Sequence, residues 1–124
     1  MKRILVVDDN PAMRQLLTEV LRADYIVKVV RNGVEALNAL REWLPDAILL
    51  DLAMPVMDGW TFLKVRRDKP EFARVPVLIL SAELPDESMG ETIEVQARVA
   101  KPFDVDCLLA TIRRLVARKE TLSR

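Results

Sequence analysis

Short apolar runs alternate along the chain with longer segments in which apolar residues recur at helical spacing. The runs predict five strands, over residues 4–7, 25–30, 47–50, 75–80 and 97–100. The spacings predict a helix after each strand, over about 11–21, 34–44, 59–69, 86–96 and 105–115. The helix over 86–96 has the weakest pattern, because Gly90 interrupts it and few apolar residues line one side.

Strands that alternate with helices indicate an α/β domain, in which helices cover both faces of a parallel sheet. Crossovers between parallel strands are right-handed, which leaves few topologies for a chain of this length. We therefore predict a flavodoxin-like, doubly wound (βα)5 fold with a five-stranded parallel sheet in the order 2-1-3-4-5. Lys28 interrupts the second strand, which is expected at an edge. We expect one domain over residues 1–119 and a polar tail over 120–124.

The charge balance and the residue types exclude several classes of function. Lys and Arg number 19, as do Asp and Glu, so the chain has no general attraction to nucleic acid or to membranes. It contains no histidine, which removes imidazole zinc sites, histidine acid–base catalysis and a phosphohistidine carrier. The single cysteine, Cys107, cannot form an intrachain disulfide, and we expect it to be buried. This cysteine usage fits a reducing compartment.

The apolar runs are also too short for a signal peptide or for the ~20 residues of a membrane-spanning helix, so we predict a soluble cytoplasmic protein. Two arginine pairs, at 66–67 and 113–114, have no aromatic residues interleaved with them. We expect both pairs to lie on solvated helix faces rather than to bind nucleic acid.

Polar side chains follow four of the predicted strands at the point where each strand ends. They are Asp8 and Asp9 after the first strand, Asp51 after the third, Ser81 after the fourth and Lys101 after the fifth. The carboxyl ends of parallel strands meet at one edge, where open α/β sheets bind ligands. The sequence therefore predicts that these five side chains share one cleft.

Three carboxylates in one cleft repel one another. Two unit charges about 4 Å apart cost roughly 4 kcal/mol at an effective dielectric constant of about 20. Protonation, Lys101 or a bound metal ion could offset this repulsion. A site with oxygen ligands and without His or Cys suits a hard cation such as Mg²⁺.

Such a cleft suits phosphoryl transfer to a carboxylate. A carboxylate is a competent nucleophile toward phosphorus when the charge on the phosphoryl oxygens is offset. The transition state is loose, so positioning and electrostatics supply most of the catalysis. Asp51 is the predicted acceptor, and the product would be an aspartyl phosphate.

The same residues give the chain a family resemblance over nearly its whole length. The matching segments are residues 8–9 (DD), 51–59 (DLAMPVMDG), 80–82 (LSA) and 101–103 (KPF). In this order, at these strand ends, the set resembles the receiver domains of two-component response regulators. The resemblance implies a phosphorylation-activated signalling switch, which catalyses only its own phosphorylation and slow dephosphorylation and is not otherwise an enzyme.

The resemblance also implies a role for each site residue. Asp9, Asp51 and the backbone carbonyl of Ala53 would bind Mg²⁺ directly, and Asp8 would act mainly through metal-bound water. Asp51 would take the phosphoryl group from a sensor histidine kinase or a phosphotransfer protein. Ser81 would move toward that group and Lys101 would pair with it.

The implied output is a change of surface around the helix over 86–96, the fifth strand and the last helix. That surface would dock a downstream protein or an output domain, with no nucleic acid or membrane bound by this domain itself. Two positions depart from the family pattern. Arg98 occupies the place, three residues before Lys101, where the family usually has an aromatic switch residue. Ala53 offers no side chain that could orient or shield the attacking water.

Three other functions are compatible with parts of the pattern. A Mg²⁺-dependent phosphatase of the haloacid dehalogenase type also uses a strand-end aspartate, but it needs a second aspartate where this chain has Ala53. A flavodoxin-like FMN binder needs a loop after the first strand that accepts phosphate, and here that loop begins with Asp8 and Asp9. A degenerate receiver acting as a scaffold is the remaining alternative, and Arg98 keeps it open.

Overall fold

Strands and helices alternate through the chain in the computed structural model, which describes residues 1–52, 54, 57–82 and 95–122. Within these ranges the strands are β1 (Lys2–Val7), β2 (Tyr25–Val30), β3 (Ala47–Leu50), β4 (Val77–Ser81) and β5 (Ala97–Ala100). The helices are α1 (Pro11–Leu21), α2 (Gly33–Glu42), α3 (Gly59–Arg67), a single turn α4 (Pro70–Ala73) and α5 (Val105–Leu122).

The five strands form one parallel sheet in the order β2-β1-β3-β4-β5, so the predicted fold class and strand order are confirmed. The strand ends are level across the centre of the sheet. Val7 at the end of β1 pairs with Leu50 at the end of β3, and Leu50 pairs with Ile79 of β4. The residues that follow β1 and β3 therefore emerge side by side at the carboxyl edge.

The three central strands are buried on both faces, as their unbroken apolar runs predict. Leu5 and Val7 belong to the apolar cluster that includes residues of α2 and α3. Ile4 and Val6 belong to the cluster on the opposite face, with residues of α1 and α5. β2 lies at an edge with a partly exposed face, which confirms the prediction made from Lys28.

Polar residues cap the helices where the chain leaves the carboxyl edge. The side chains of Asn10, Asn32 and Asp58 accept hydrogen bonds from backbone N–H groups in the first turns of α1, α2 and α3. Asp104 does the same at the start of α5. The structure thus makes Asn32 a helix cap and Gly33 the first helical residue, where the sequence predicted a helix only from about residue 34.

Two element boundaries differ from their predictions because of prolines. α3 ends at Arg67, before its predicted end at about residue 69, and Pro70 begins the separate turn α4. Proline is tolerated at the first helical position, where its missing N–H has no intrahelical partner to lose. β4 begins at Val77 rather than at Val75. Pro76 lies between them and has no N–H for the sheet ladder.

Arg66 is buried, so the prediction of a solvated 66–67 pair is wrong at this residue. It is 4% exposed, and its guanidinium donates to the carbonyl oxygens of Ala73, at 2.9 Å, and of Val75. Arg66 follows the buried residues Phe62 and Leu63 by four and three positions, which places it on the inward side of α3. The arginine thereby ties the end of α3 to the segment that leads into β4.

Further differences lie in the last third of the chain. Cys107 is exposed on α5, where we expected a buried residue. The backbone of α5 continues to Leu122, into the segment predicted as a polar tail, and the boundary between 1–119 and 120–124 stays a prediction. Most of the predicted helix over 86–96 falls outside the described residues. Among the helices that are described, none combines the length and the apolar character needed to span a membrane.

Candidate functional site

The register of the central strands brings two of the predicted acids together. The backbone N–H of Asp51 donates to the carbonyl oxygen of Val7 at 2.9 Å, and that of Asp8 donates to Val30 at 3.1 Å. Asp8 and Asp51 therefore begin at the same level on neighbouring strands. Their side chains are nearly inaccessible, since the two residues are 2% and 7% exposed.

Asp9 completes a group of three carboxylates. Asp8, Asp9 and Asp51 each offer one carboxylate oxygen, and these oxygens lie within 4.8 Å of one another. Asp9 is exposed whereas the other two are buried, so the group opens to solvent on the side of Asp9. The sequence prediction that these acids converge is borne out by their placement.

Lys101 reaches the acids from the far side of β4. Its ammonium nitrogen lies 2.7 Å from Oδ2 of Asp8 and 3.8 Å from Oδ2 of Asp51, and the side chain is 16% exposed. The Lys101 N–H donates to the carbonyl oxygen of Ser81 at 3.0 Å, which fixes the lysine backbone against the end of β4. The peptide bond to Pro102 is cis. The lysine thus pairs most closely with Asp8 and remains within reach of Asp51.

Ser81 lies at the end of β4, where its hydroxyl donates to Oδ1 of Asp51 at 3.1 Å. The serine is 2% exposed. Asp51 therefore has Ser81 at one carboxylate oxygen and Lys101 near the other. All five side chains that the sequence predicted for this cleft meet in it.

The structure adds contacts to Asp8 that the sequence did not reveal. The backbone N–H of Asn10 donates to Oδ1 of Asp8 at 2.9 Å, and Nη1 of Arg14 donates to the Asp8 carbonyl oxygen at 2.9 Å. Arg14 lies four residues after the cap Asn10, so it projects back toward the start of α1. That spacing is the only sequence signal that could have placed it here.

Gly59 allows α3 to begin close to Asp51. A Cβ atom at Gly59 would lie 2.7 Å from the carbonyl oxygen of Asp51 and 2.8 Å from Cα of Leu52. The Gly59 N–H donates to the Leu52 carbonyl oxygen at 3.0 Å. A residue with a side chain at this position would therefore push the backbone beside Asp51.

Two further positions from the sequence prediction have different outcomes. Ala53, predicted to offer its carbonyl oxygen to a metal ion, lies outside the described residues. Arg98 is described, and its side chain is exposed on β5, where it pairs in register with Ile79 of β4. The residue three positions before Lys101, where the family usually has an aromatic side chain, is therefore an exposed arginine.

The donor set fits a hard divalent cation. All three acids offer oxygen, the preferred ligand of Mg²⁺, and the oxygens are close enough to share one ion. In their charged forms, the three carboxylates outnumber the single ammonium group of Lys101 that contacts two of them. The four side chains then carry net negative charge, which a divalent ion would offset.

The fold and the cleft are those of a small receiver-type signalling domain, and comparison with known proteins agrees. The chain belongs to the response regulator receiver domain family, whose model matches residues 4–113. Domains of this family are the phosphorylation switches of two-component systems. Over 120 residues the chain is 39% identical to the sensor histidine kinase TmoS of Ectopseudomonas mendocina, covering 94% of this chain and 12% of the kinase.

Solved structures give the same result. Chemotaxis protein CheY4 of Vibrio cholerae has a TM-score of 0.85 and 33% sequence identity, with 93% of this chain and 98% of that chain covered. The receiver domain of the sensor histidine kinase PA1611 of Pseudomonas aeruginosa has a TM-score of 0.84 and 28% identity, covering 94% and 98%. That structure has a magnesium ion coordinated in its active site cleft.

The chain spans about half the length of the curated response regulators that it matches. Several of those relatives are named as DNA-binding regulators. Receiver domains interact with histidine kinases and with output domains, and this chain is a signalling module of the receiver family.

Proposed function

We propose that Asp51 accepts a phosphoryl group from the phosphohistidine of a sensor histidine kinase or a phosphotransfer protein. The observation that carries the proposal is the gathering of Asp8, Asp9, Ser81 and Lys101 around the Asp51 carboxylate. Four of the five strand ends contribute a group that the transfer needs: a nucleophile, acidic ligands, a hydroxyl and a cation. The charge on the phosphorylated aspartate would then alter the surface of the domain.

The transfer uses the two oxygens of Asp51 differently. One carboxylate oxygen attacks phosphorus, a P–O bond forms, and the P–N bond of the donor breaks with its electron pair left on the histidine nitrogen. Ser81 holds Oδ1 by a hydrogen bond of 3.1 Å, which limits rotation of the carboxylate. Lys101, 3.8 Å from Oδ2, is close enough to pair with a phosphoryl oxygen attached there. Fixed orientation of this kind lowers the barrier to an in-line transfer.

Asp8, Asp9 and Asp51 are the side chains that would hold Mg²⁺. When bound, the ion would supply positive charge for the phosphoryl oxygens. The orientation of Asp8 is fixed by groups of this chain, because the Asn10 N–H holds its Oδ1 and Lys101 its Oδ2. The magnesium ion in the PA1611 receiver cleft supports the same choice of metal.

Two of the alternative functions find no support in the site. A phosphatase of the haloacid dehalogenase type needs a general acid two residues after the nucleophile, where the sequence has Ala53. An FMN site needs free N–H groups after the first strand, and there the Asn10 N–H is already bonded to Asp8. We therefore propose a module that phosphorylates and slowly dephosphorylates itself and turns over no external substrate.

The proposed partner surface includes the predicted helix over 86–96, β5 and α5. Arg98 is exposed on β5 and adds a positive charge to that surface. We propose that it docks a downstream protein or an output domain, and that the domain itself binds no nucleic acid or membrane. We propose a cytoplasmic location, because the single cysteine fits a reducing compartment and the apolar runs are short.

Phosphorylation by a small donor tests this function without the cognate kinase. The protein is incubated with acetyl phosphate, with and without MgCl₂, and its intact mass is measured. We expect the mass of one phosphoryl group to be gained, and only with Mg²⁺ present. Failure to gain it under either condition would contradict the proposal. Repeated release of phosphate from simple phosphate esters would instead favour the phosphatase.

A further inference from the structure

Met57 of the loop between β3 and α3 lies directly over the start of α2. The N–H of Gly33, the first residue of α2, donates to the Met57 carbonyl oxygen at 3.3 Å. A Cβ atom at Gly33 would lie 2.7 Å from both Cγ and Sδ of Met57. A residue with a Cβ atom at this position would therefore require the methionine side chain to shift.

The segment that contains Gly33 contacts the backbone at Asp8 and also the loop that follows Asp51. Residues 30–33 connect β2 to α2, and the Val30 carbonyl oxygen accepts the N–H of Asp8 at 3.1 Å. Three residues later, Gly33 holds Met57, which belongs to the loop that begins with Asp51. The segment thus fixes the backbone of Asp8 and the distal part of the Asp51 loop relative to each other.

We propose that the seating of Met57 on Gly33 positions the Asp51 loop and thereby sets the affinity of the Asp8–Asp9–Asp51 group for Mg²⁺. Gly33 and Met57 are positioning residues, since neither offers a ligand to the ion. The inference rests on the proposed function, because it takes the three acids as the magnesium site. Mutation of groups that orient metal ligands typically lowers metal affinity about 10- to 100-fold.

Alanine at Gly33 isolates this contact from backbone effects. None of the described glycines has a positive φ angle, so alanine meets no conformational strain at Gly33. Alanine also has a higher helix propensity than glycine, so α2 itself would not be weakened. The new methyl group would displace the Met57 side chain, which is partly buried against the core.

Calorimetric titration with MgCl₂ measures the effect. We expect Gly33→Ala to raise the Mg²⁺ dissociation constant about tenfold. Met57→Ala should raise the dissociation constant by a smaller factor. The loop then loses the methionine side chain but keeps the backbone hydrogen bond from Gly33 and is not displaced. The double variant should nearly match Met57→Ala alone, since truncation removes the two Met57 atoms at 2.7 Å and leaves only its Cβ, at 3.0 Å. A double variant whose loss equals the product of the two single losses would overturn the proposal.

Gly59→Ala is the matched control. Its added Cβ would meet backbone atoms of Asp51 and Leu52, so truncating Met57 should not restore its Mg²⁺ affinity. Should Gly33→Ala fail to fold by circular dichroism, Met57→Ala and Met57→Leu decide. An unchanged Mg²⁺ affinity in Met57→Ala would overturn the inference. Equal losses of Mg²⁺ affinity in Met57→Ala and Met57→Leu would overturn it as well.

The titration also separates the two claims. If the wild-type protein binds no Mg²⁺ at millimolar concentration, the proposed function fails. If it binds Mg²⁺ and Gly33→Ala binds it equally well, only the role of the Gly33–Met57 contact fails. A variant that unfolds more easily but keeps the wild-type affinity counts as the second outcome, because it shows a purely structural contact.

Discussion

Replacing Asp51 with asparagine is expected to abolish phosphorylation by acetyl phosphate in the presence of Mg²⁺. The amide oxygen is a poor nucleophile, so the transfer rate should fall by more than about a hundredfold, or about 2.7 kcal/mol in the barrier. Asparagine keeps the size of the side chain and can still accept the hydrogen bond from Ser81. Intact mass spectrometry of the two proteins after equal incubation measures the difference.

Asp58→Asn is the matched control for this experiment, because it removes the same charge from the same loop. Asp58 caps α3 by accepting the Thr61 N–H at 2.8 Å, and asparagine caps helices equally well. This variant should gain a phosphoryl group as the wild-type protein does. If Asp51→Asn is phosphorylated as fully as Asp58→Asn, Asp51 is not the acceptor.

Replacing Arg66 with leucine is expected to lower the free energy of unfolding by about 3 kcal/mol. The arginine donates to the carbonyl oxygens of Ala73 and Val75, and leucine would leave the buried Val75 oxygen and the half-buried Ala73 oxygen without that donor. Urea denaturation at 25 °C measures the loss. With a urea dependence of about 1–3 kcal/mol per molar, the midpoint should fall by roughly 1–3 M.

Arg67→Leu is the natural comparison, since the two arginines are adjacent on α3. The Arg67 side chain is 51% exposed, and its guanidinium lies 3.9 Å from the Asp68 carboxylate, a surface pair of small energy. We expect a change of less than about 0.5 kcal/mol. Similar losses in the two variants would show that burial of Arg66 does not stabilise the fold.

The cleft could be predicted from sequence because it depends on features that a pattern contains. Apolar runs fix where strands end, and a parallel sheet places all those ends on one edge. Asp8 and Asp51 follow such runs directly, so their meeting required only the correct strand order. The sequence did not reveal that Lys101 lies 2.7 Å from Asp8 and 3.8 Å from Asp51, because this depends on how β5 packs beside β4.

The errors come from judging residues by type rather than by position. Arginine is usually solvated, and that expectation outweighed the helical spacing that puts Arg66 beside Phe62 and Leu63. Cys107 was assigned to the interior for the same reason, although it lies one residue before the buried Leu108. The contact of Met57 with Gly33 joins two loops that are distant in sequence, and no local pattern contains it.

Mapping the phosphorylated residue tests the central claim most directly. The protein is treated with acetyl phosphate in MgCl₂ or in EDTA, the acyl phosphate is reduced with borohydride, and the digested peptides are sequenced by mass spectrometry. Our account predicts modification at Asp51 alone, and only in the sample with Mg²⁺. Modification at Asp8 or Asp9 instead, or equal modification of Asp51 in EDTA, would contradict it.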